Sequence, residues 1–274
     1  MAIGITFIYS IMKMINWSMG EAYMIGSYIQ YFLLLYLIPP EYWYIGVVIS
    51  IIIMFIIGCL LELGLLKRMF IRVLERRDEY ITVMTLAWVI LFRNIMASLY
   101  GPYVYSTPEY FSRVTIGTLP ISGSRFMACI GTVVILAIFW YVIKYTWIGR
   151  AFRAVAQNRL GAYIVGINSH RIDTIAFGIG TALAGAAGAL LAPVYLVYPT
   201  NGSIATMKGF EIIVIGGLGS IAGSVIAGIL LGIVEIICSA LISTSYRDIY
   251  GFVFLLLVLA IKPTGFFGEE ERLA

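Results

Sequence analysis

The sequence predicts an all-α, polytopic bundle of transmembrane helices. Hydrophobic residues make up 61% of the 274 residues and charged residues only 12%, whereas soluble globular domains carry roughly 25% charged residues. The hydrophobic residues are gathered in runs comparable to the ~20 residues that a helix needs to cross a bilayer, and short polar stretches separate these runs. A chain of this length has room for about seven or eight spans, which form one transmembrane domain over residues 1–274.

The hydrophobic runs give the predicted spans their boundaries. Residues 1–12 would form a helix of only about 18 Å, so either this first span is short or the true start of the chain lies upstream. A polar break over residues 13–21 follows, and Pro39-Pro40 ends the second span because proline cannot continue a helix. Further spans are predicted over residues 22–38, 80–100, 125–145, 173–197 and 250–262, and one more ends at residue 66.

The basic residues indicate which loops face the cytoplasm, because loops rich in Lys and Arg stay inside. The loops at residues 67–79 and 146–171 hold nine of the 18 lysines and arginines. The loops at residues 101–124 and 198–208 hold few and are predicted outside, with the tail inside. Residues 211–242 must then enter from outside and return there. We therefore predict a re-entrant half-helix from Glu211 to about Ser220, with its turn at Gly216-Gly217-Leu218-Gly219.

Residues 146–171 form the longest polar interruption of the chain. Polar residues lie on one side of a helical wheel, and apolar residues recur at three- and four-residue steps on the other: Arg150, Arg153, Gln157 and Asn158 against Phe152, Val155, Ala156, Tyr163 and Ile167. This pattern predicts a short amphipathic helix on the cytoplasmic side. It is either a solvated segment whose apolar face rests on lipid headgroups or a docking helix that fits a groove on a soluble partner.

Small residues at four-residue steps predict close helix packing, which must replace the hydrophobic effect inside lipid. Two helices carry them: Gly180, Ala184, Gly188 and Ala192 in one, and Gly216, Ser220, Ser224, Gly228 and Gly232 in the other. Within the second series, the break from Gly216 to Ser220, which includes Gly217 and Gly219, is also a candidate lining of a substrate path.

Arg93 and Glu235 are the ionisable residues closest to the middle of predicted spans, and Asn94 follows Arg93. Charges at that depth face protein or water and are usually paired. The two could pair with each other, either as a structural contact between spans or as part of a solute path.

The sequence contains no motif for an energy source of its own. None of its lysines follows a glycine, which excludes a P-loop, and its only histidine, His170, excludes a Ser-His-Asp set. Three cysteines in apolar runs, Cys59, Cys129 and Cys238, are predicted to be small core residues rather than metal ligands or disulfide partners. We therefore expect no metal and no cofactor on the chain, and a transporter of this kind must take its energy from a partner.

Four blocks of the chain resemble the permeases of bacterial branched-chain amino acid ABC transporters. They are INWSMGEAYMIGSY at residues 15–28, GRAFRAVAQNRLGAYIVGIN at 149–168, KGFEIIVIGGLGSIAGSVIAGILLGIVE at 208–235 and KPTGFFG at 262–268. The blocks occur in the family's order over nearly the whole chain, which is most similar to the shorter of the two permease subunits. Trp17-Ser18-Met19 departs from the usual Phe-Ala-His of the first block.

The resemblance implies a multi-pass protein of a bacterial or archaeal cell membrane that moves leucine, isoleucine, valine or similar amino acids inward. Its implied partners are a second permease, two cytoplasmic ATPases that bind the ATP, and an extracytoplasmic solute-binding protein; membrane lipid surrounds it, and no nucleic acid is involved. Urea or short amides are the alternative solutes, and a stand-alone secondary transporter or channel is the more distant alternative.

The resemblance also assigns candidate residues. The docking helix becomes a coupling helix that contacts the ATPase through Arg150, Arg153, Gln157, Asn158 and Gly161. Asn16 and Glu21 match polar positions of the first block and join Arg93, Asn94, Glu235 and the Gly216–Ser220 break as candidates for the translocation path. Capping of the next span is the alternative role of Asn16 and Glu21.

Overall fold

The computed structural model describes residues 1–67, 77–111, 114–116 and 119–268, and it confirms the all-α class. The described residues form eleven α-helices: α1 Ala2–Met12, α2 Met19–Tyr36, α3 Trp43–Leu61, α4 Arg77–Tyr100, α5 Gly123–Tyr145, α6 Trp147–Gln157, α7 Arg159–Ile164, α8 Ser169–Leu191, α9 Asn201–Gly216, α10 Ile221–Leu241 and α11 Arg247–Ile261. A π-helical turn, Glu62–Leu66, continues α3. Most of the predicted basic loop at residues 67–79 and the last six residues of the tail lie outside the described residues.

Two short β-strands interrupt the predicted external loop at residues 101–124. β1 Val114–Ile116 pairs antiparallel with β2 Leu119–Ile121, with Val114 opposite Ile121. The same loop is fastened to the bundle by a second backbone pairing, between Tyr105 and Val197. These contacts hold the loop across the end of the bundle at which α2 and α4 finish.

Six helical stretches among the described residues are long and apolar enough to cross a membrane. They are Pro40–Leu66, Asp78–Tyr100, Gly123–Tyr145, Ser169–Leu191, Ile221–Leu241 and Thr244–Ile261. The number is lower than the predicted seven or eight because α1 and α2, the segments predicted as the first two spans, do not qualify, and neither does α9. α1 has 11 residues and α9 has 16, while α2 contains Glu21 and Gln30. The multi-pass architecture is therefore established without those three helices.

α8 is the most deeply buried of the six spans and packs against α1, α2 and α3. Its small residues allow this contact, as predicted. Gly188 faces the backbone of α2 at Tyr23 and Ser27, and Gly185 lies against Gly26. The second series of small residues packs tightly at its start, where Gly216 at the end of α9 meets Gly223 of α10. Further along α10 nothing lies within 4 Å of a Cβ placed at Gly232.

This difference predicts opposite results for two matched substitutions. Gly188→Ala places a methyl group against the Tyr23 carbonyl oxygen, so α2 and α8 must separate, and overpacking of this kind costs about 1–3 kcal/mol. Gly232→Ala fills open space and gains helix propensity, up to about 1 kcal/mol. We expect a lower melting temperature in detergent for Gly188→Ala and an unchanged or higher one for Gly232→Ala. Equal melting temperatures would contradict the packing described for α8.

α1 is an interior helix despite its length. Phe7, Ile8 and Met12 are buried completely or nearly so, and α1 packs against α6, α8, α9 and α10. The hydroxyl oxygens of Thr6 and Ser224 are hydrogen-bonded at 2.5 Å, which joins α1 to α10. The segment predicted as a short first span thus forms part of the core.

The predicted external loop at residues 198–208 is wrong from Asn201 onward, because α9 begins there. The predicted break is confirmed: α9 ends at Gly216, and Gly217 and Gly219 have φ angles of 96° and 87°, a region that glycine adopts most easily. The helix before the turn is therefore longer than predicted, because it begins at Asn201 and not at Glu211.

The turn between α9 and α10 lies at the end of the bundle where α1 finishes. A Cβ at Gly219 would lie 3.6 Å from the ring of Tyr9. The tail passes beside the same turn, and the backbone amides of Phe266 and Phe267 donate to the carbonyl oxygens of Ile215 and Gly216 at 2.9 and 3.0 Å. The turn and the tail therefore share one end of the molecule.

The three cysteines are free, as predicted, but they are not core residues. Cys59 and Cys238 are half-buried and Cys129 is exposed. Their helices are apolar on every side, so the sequence around a cysteine does not indicate which side faces the protein.

Candidate functional site

The predicted amphipathic segment forms two helices instead of one. Asn158 interrupts it with an extended backbone at φ −152° and ψ 106°. Each helix has its own cap, because Thr146 Oγ1 accepts from the Gly149 amide at 3.2 Å and Asn158 Oδ1 accepts from the Gly161 amide at 2.9 Å. α7 therefore begins in a new orientation after α6.

α6 is packed onto the bundle through its apolar face. Phe152 and Val155 are buried, and the Phe152 ring meets Phe7 of α1 edge-on at 5.0 Å between centroids. Phe7 in turn contacts Phe139 of α5 at 5.2 Å. Since this face is covered by protein, it does not rest on lipid headgroups.

The polar face of α6 is exposed. Arg150, Arg153 and Gln157 all lie there, as predicted. Arg153 also has a contact within the chain, since its guanidinium donates to the carbonyl oxygen of Ile143 near the end of α5. This hydrogen bond holds α6 against the helix that precedes it.

α7 presents an uncovered apolar surface, formed by Leu160, Tyr163, Ile164 and Val165. These residues are between 72% and 74% exposed. The prediction that Tyr163 continues the apolar face of α6 is wrong, because the break at Asn158 turns α7 away from the bundle. A contiguous exposed apolar patch commonly marks a protein or membrane contact.

α7 is connected to the interior by Arg159. Its guanidinium donates to Asp173 Oδ1 of α8 at 2.7 Å and to the carbonyl oxygen of Ile11 of α1 at 3.2 Å. Asp173 is buried. A displacement of α7 would therefore be transmitted directly to α1 and α8.

Besides the Arg159–Asp173 contact, a second group of interacting polar side chains, the Arg93 centre, joins α2, α4 and α9. Arg93 Nη2 lies 3.1 Å from Glu21 Oε1 and donates to Ser203 Oγ at 2.7 Å. The close approach of Gly20 to Gly202 brings α2 and α9 together beside it. The pairing of Arg93 with Glu235, which the sequence left open, is not formed: Arg93 contacts Glu21 of α2, and Glu235 of α10 contacts Lys208 and Arg247.

The two asparagine candidates make local contacts. Asn16 is buried, and its Oδ1 accepts from the amide and hydroxyl of Ser18 at the start of α2. Asn94 is exposed, and its amide donates to the carbonyl oxygen of Ile90 one turn earlier. Asn16 therefore holds the turn that precedes α2 and does not cap the helix itself, and Asn94 does not join the Arg93 centre.

Glu235 belongs to a third group of interacting polar side chains, the Lys208 centre, between α9, α10 and α11. Lys208 Nζ lies 2.7 Å from Glu235, 3.2 Å from Glu211 and 3.2 Å from Asp248, and Arg247 lies 2.9 Å from Glu235. This centre was not predicted, because Lys208 was expected in a loop and α9 places it on a helix. The i, i+3 spacing of Lys208 and Glu211, which suits an ion pair on a helix, was a signal for it.

A cleft of about 340 Å³ opens between α2 and α4. Its lining is apolar and aromatic: Ile25, Tyr28, Ile29, Phe32 and Leu33 of α2, with Met96 and Tyr100 of α4. Four of the five α2 positions lie at the i, i+3, i+4 and i+7 steps of one helix face.

A family model described as "Branched-chain amino acid transport system / permease component" matches residues 1–261. The chain belongs to this permease family. It is 34% identical to the high-affinity branched-chain amino acid transport system permease protein LivH of Salmonella typhimurium, over 98% of this chain and 91% of LivH. It is 31% identical to the permease BraD of Pseudomonas aeruginosa, again over 98% and 91%. A probable LivH of Methanocaldococcus jannaschii is 26% identical over 99% of this chain. No solved structure matches significantly.

Membership of the permease family confirms the resemblance, and with the six long apolar helices it makes the chain a multi-pass membrane transport protein. The candidates for the translocation path are divided among separate parts of the structure. Glu21 and Arg93 are in contact, Glu235 lies in the Lys208 centre, and Gly216, Gly217, Gly219 and Ser220 form the α9–α10 turn.

Proposed function

We propose that this permease is the membrane-spanning subunit of an ATP-binding-cassette importer that carries branched-chain or similar hydrophobic amino acids into the cell. The chain would act with a second permease, two cytoplasmic ATPases and an extracytoplasmic solute-binding protein. The ATPases would bind and hydrolyse the ATP, and this chain would carry neither cofactor nor metal. Its family is that of branched-chain amino acid transport permeases.

The observation that carries the proposal is the uncovered apolar surface of α7, at the end of a helix pair that is otherwise packed onto the bundle. An ATPase groove that received Leu160, Tyr163 and Ile164 would bury this surface. The exposed Arg150, Arg153 and Gln157 of α6 lie beside it and supply polar contacts at the rim.

Movement delivered to α7 would reach the spans along two routes. Arg159 joins α7 to α1 and α8, and Phe152 joins α6 to Phe7 of α1. Because α1 packs against α8, α9 and α10, a rigid shift of the α6–α7 pair would move the bundle's central helices. That shift would convert ATPase closure into a change between outward- and inward-facing states.

Uptake by the purified importer tests the solute class. The complex is isolated through a tag on the full-length chain and placed in proteoliposomes with ATP on the ATPase side. We expect uptake of labelled leucine that excess isoleucine or valine suppresses and excess urea leaves unchanged. Uptake that urea suppresses and leucine does not would contradict the proposed solute class.

A further inference from the structure

The cleft between α2 and α4 adjoins the Glu21–Arg93 pair. On α2, Glu21 precedes the cleft residue Ile25 by four positions, and on α4, Arg93 precedes Met96 by three. Each step is about one helical turn, and on both helices the pair lies on the N-terminal side of the cleft. The ion pair and the apolar cleft therefore lie about one turn apart along the same two helices and are neighbouring parts of the α2–α4 surface.

The polar groups of this surface are incompletely satisfied. Among the described residues, Glu21 Oε2, Arg93 Nε and Tyr28 Oη are buried and have no hydrogen-bond partner. The Glu21 side chain is 2% exposed, and Tyr28, which lines the cleft, is 1% exposed. Buried polar atoms in proteins are nearly always hydrogen-bonded, so the unpartnered acceptor of Glu21 and the unpartnered donor of Arg93, which belong to one ion pair, indicate a ligand that supplies the missing partners.

The complement of these groups is a zwitterion with an apolar side chain. The free carboxylate oxygen of Glu21 suits an ammonium group, and the free Nε–H of Arg93 suits a carboxylate. Ile25, Ile29 and Met96 suit a branched hydrocarbon. A lipid acyl chain would fill the cleft without satisfying the polar atoms. Ionisable residues inside a membrane bundle commonly mark a solute pathway.

We propose that the cleft between α2 and α4, together with Glu21 and Arg93, is a binding site for the transported α-amino acid. The ammonium group of the solute lies on Glu21, its carboxylate lies on Arg93, and its side chain enters the cleft. This inference rests on the proposed function and adds to it the residues that contact the solute.

Photolabelling of the unmodified importer tests the site. The complex, isolated through a tag on the full-length chain and held in lipid nanodiscs, is illuminated with a diazirine analogue of leucine, and the labelled peptides are identified by mass spectrometry. We expect the label of this chain to lie on α2 around Ile25–Leu33 and on α4 around Met96–Tyr100. Excess leucine should remove it.

Photolabelling is then compared in two matched variants. Ile29→Trp fills the cleft and should lower labelling by about tenfold or more, as a pocket that loses its space does. Leu35→Trp makes the same change on an exposed residue of α2 that does not line the cleft and should leave labelling unchanged.

The outcomes separate the site from the function. Leucine uptake by the same purified complex in proteoliposomes, with the label on other helices or on a partner subunit, would overturn the site and leave the importer proposal standing. Label on α2 and α4 that excess leucine does not displace, or that Ile29→Trp does not reduce, would also overturn the site. A preparation of intact complex that takes up no amino acid would contradict the proposed function and the site that rests on it.

Discussion

Ile164→Asp is expected to release the ATPase subunits from the purified importer while this chain stays folded in the membrane. Ile164 is 73% exposed on α7 and has Leu160 and Tyr163 as neighbours on the same surface. If an ATPase groove buries this surface, a carboxylate at its centre must be desolvated without a partner, which costs several kcal/mol. We expect at least about a tenfold loss of ATPase that co-purifies with the tagged chain, equivalent to about 1.4 kcal/mol.

His170→Asp is the control for this substitution. His170 is exposed just beyond α7, so the change adds the same charge to the same end of the molecule without entering the apolar surface. Co-purification should stay at the unmodified level. Retention of the ATPase by Ile164→Asp, or an equal loss in both variants, would contradict the assignment of α7 as the docking surface.

Lys208→Met is expected to unfold the chain or to lower its melting temperature sharply. The Lys208 side chain is 22% exposed and lies between Glu211 and Glu235, which are 3% and 6% exposed. Methionine keeps the length of the side chain but removes the charge that the two carboxylates share. Glu235 keeps Arg247 as a partner at 2.9 Å, but Glu211 has no other ion-pair partner among the described residues. Removal of one partner from a buried ion pair costs about 3–5 kcal/mol, because the other charge stays buried without compensation.

Asp248→Asn is the control. It shows whether any change to the Lys208 centre lowers the melting temperature or whether only the loss of the buried charge does. Asp248 also contacts Lys208, at 3.2 Å, but its side chain is 68% exposed, and exposed ion pairs contribute about 0–1 kcal/mol. The melting temperature in detergent, with unfolding monitored by size-exclusion chromatography, should decrease strongly for Lys208→Met and slightly for Asp248→Asn. A small effect of both would mean that the centre does not stabilise the α9–α11 packing.

The local features that the sequence predicted correctly are those set by short-range chemistry. The helix break at Gly217–Ser220 was visible because glycines permit positive φ angles. The exposed polar face of α6 was visible because Arg150, Arg153 and Gln157 recur at helical spacing. The small residues of α8 likewise indicated a close contact before its partner was known.

The features that could not be predicted depend on which helices are neighbours. Hydropathy locates a span but does not give its neighbours, so Arg93 could equally have paired with Glu235 or with Glu21. The interior position of α1 follows from its contacts with α8, α9 and α10 and has no counterpart in its composition. The orientation of α7 depends on the backbone angles of Asn158, and a helical wheel drawn through the break places Tyr163 on the wrong side.

The central claim is that this permease transports only when an ATPase acts on α7. Reconstitution of the chain with its partner permease and binding protein, once without and once with the ATPases and ATP, tests it most directly. The account predicts that labelled leucine accumulates only in proteoliposomes that contain the ATPases and ATP. Leucine flux through proteoliposomes that lack the ATPases would contradict it.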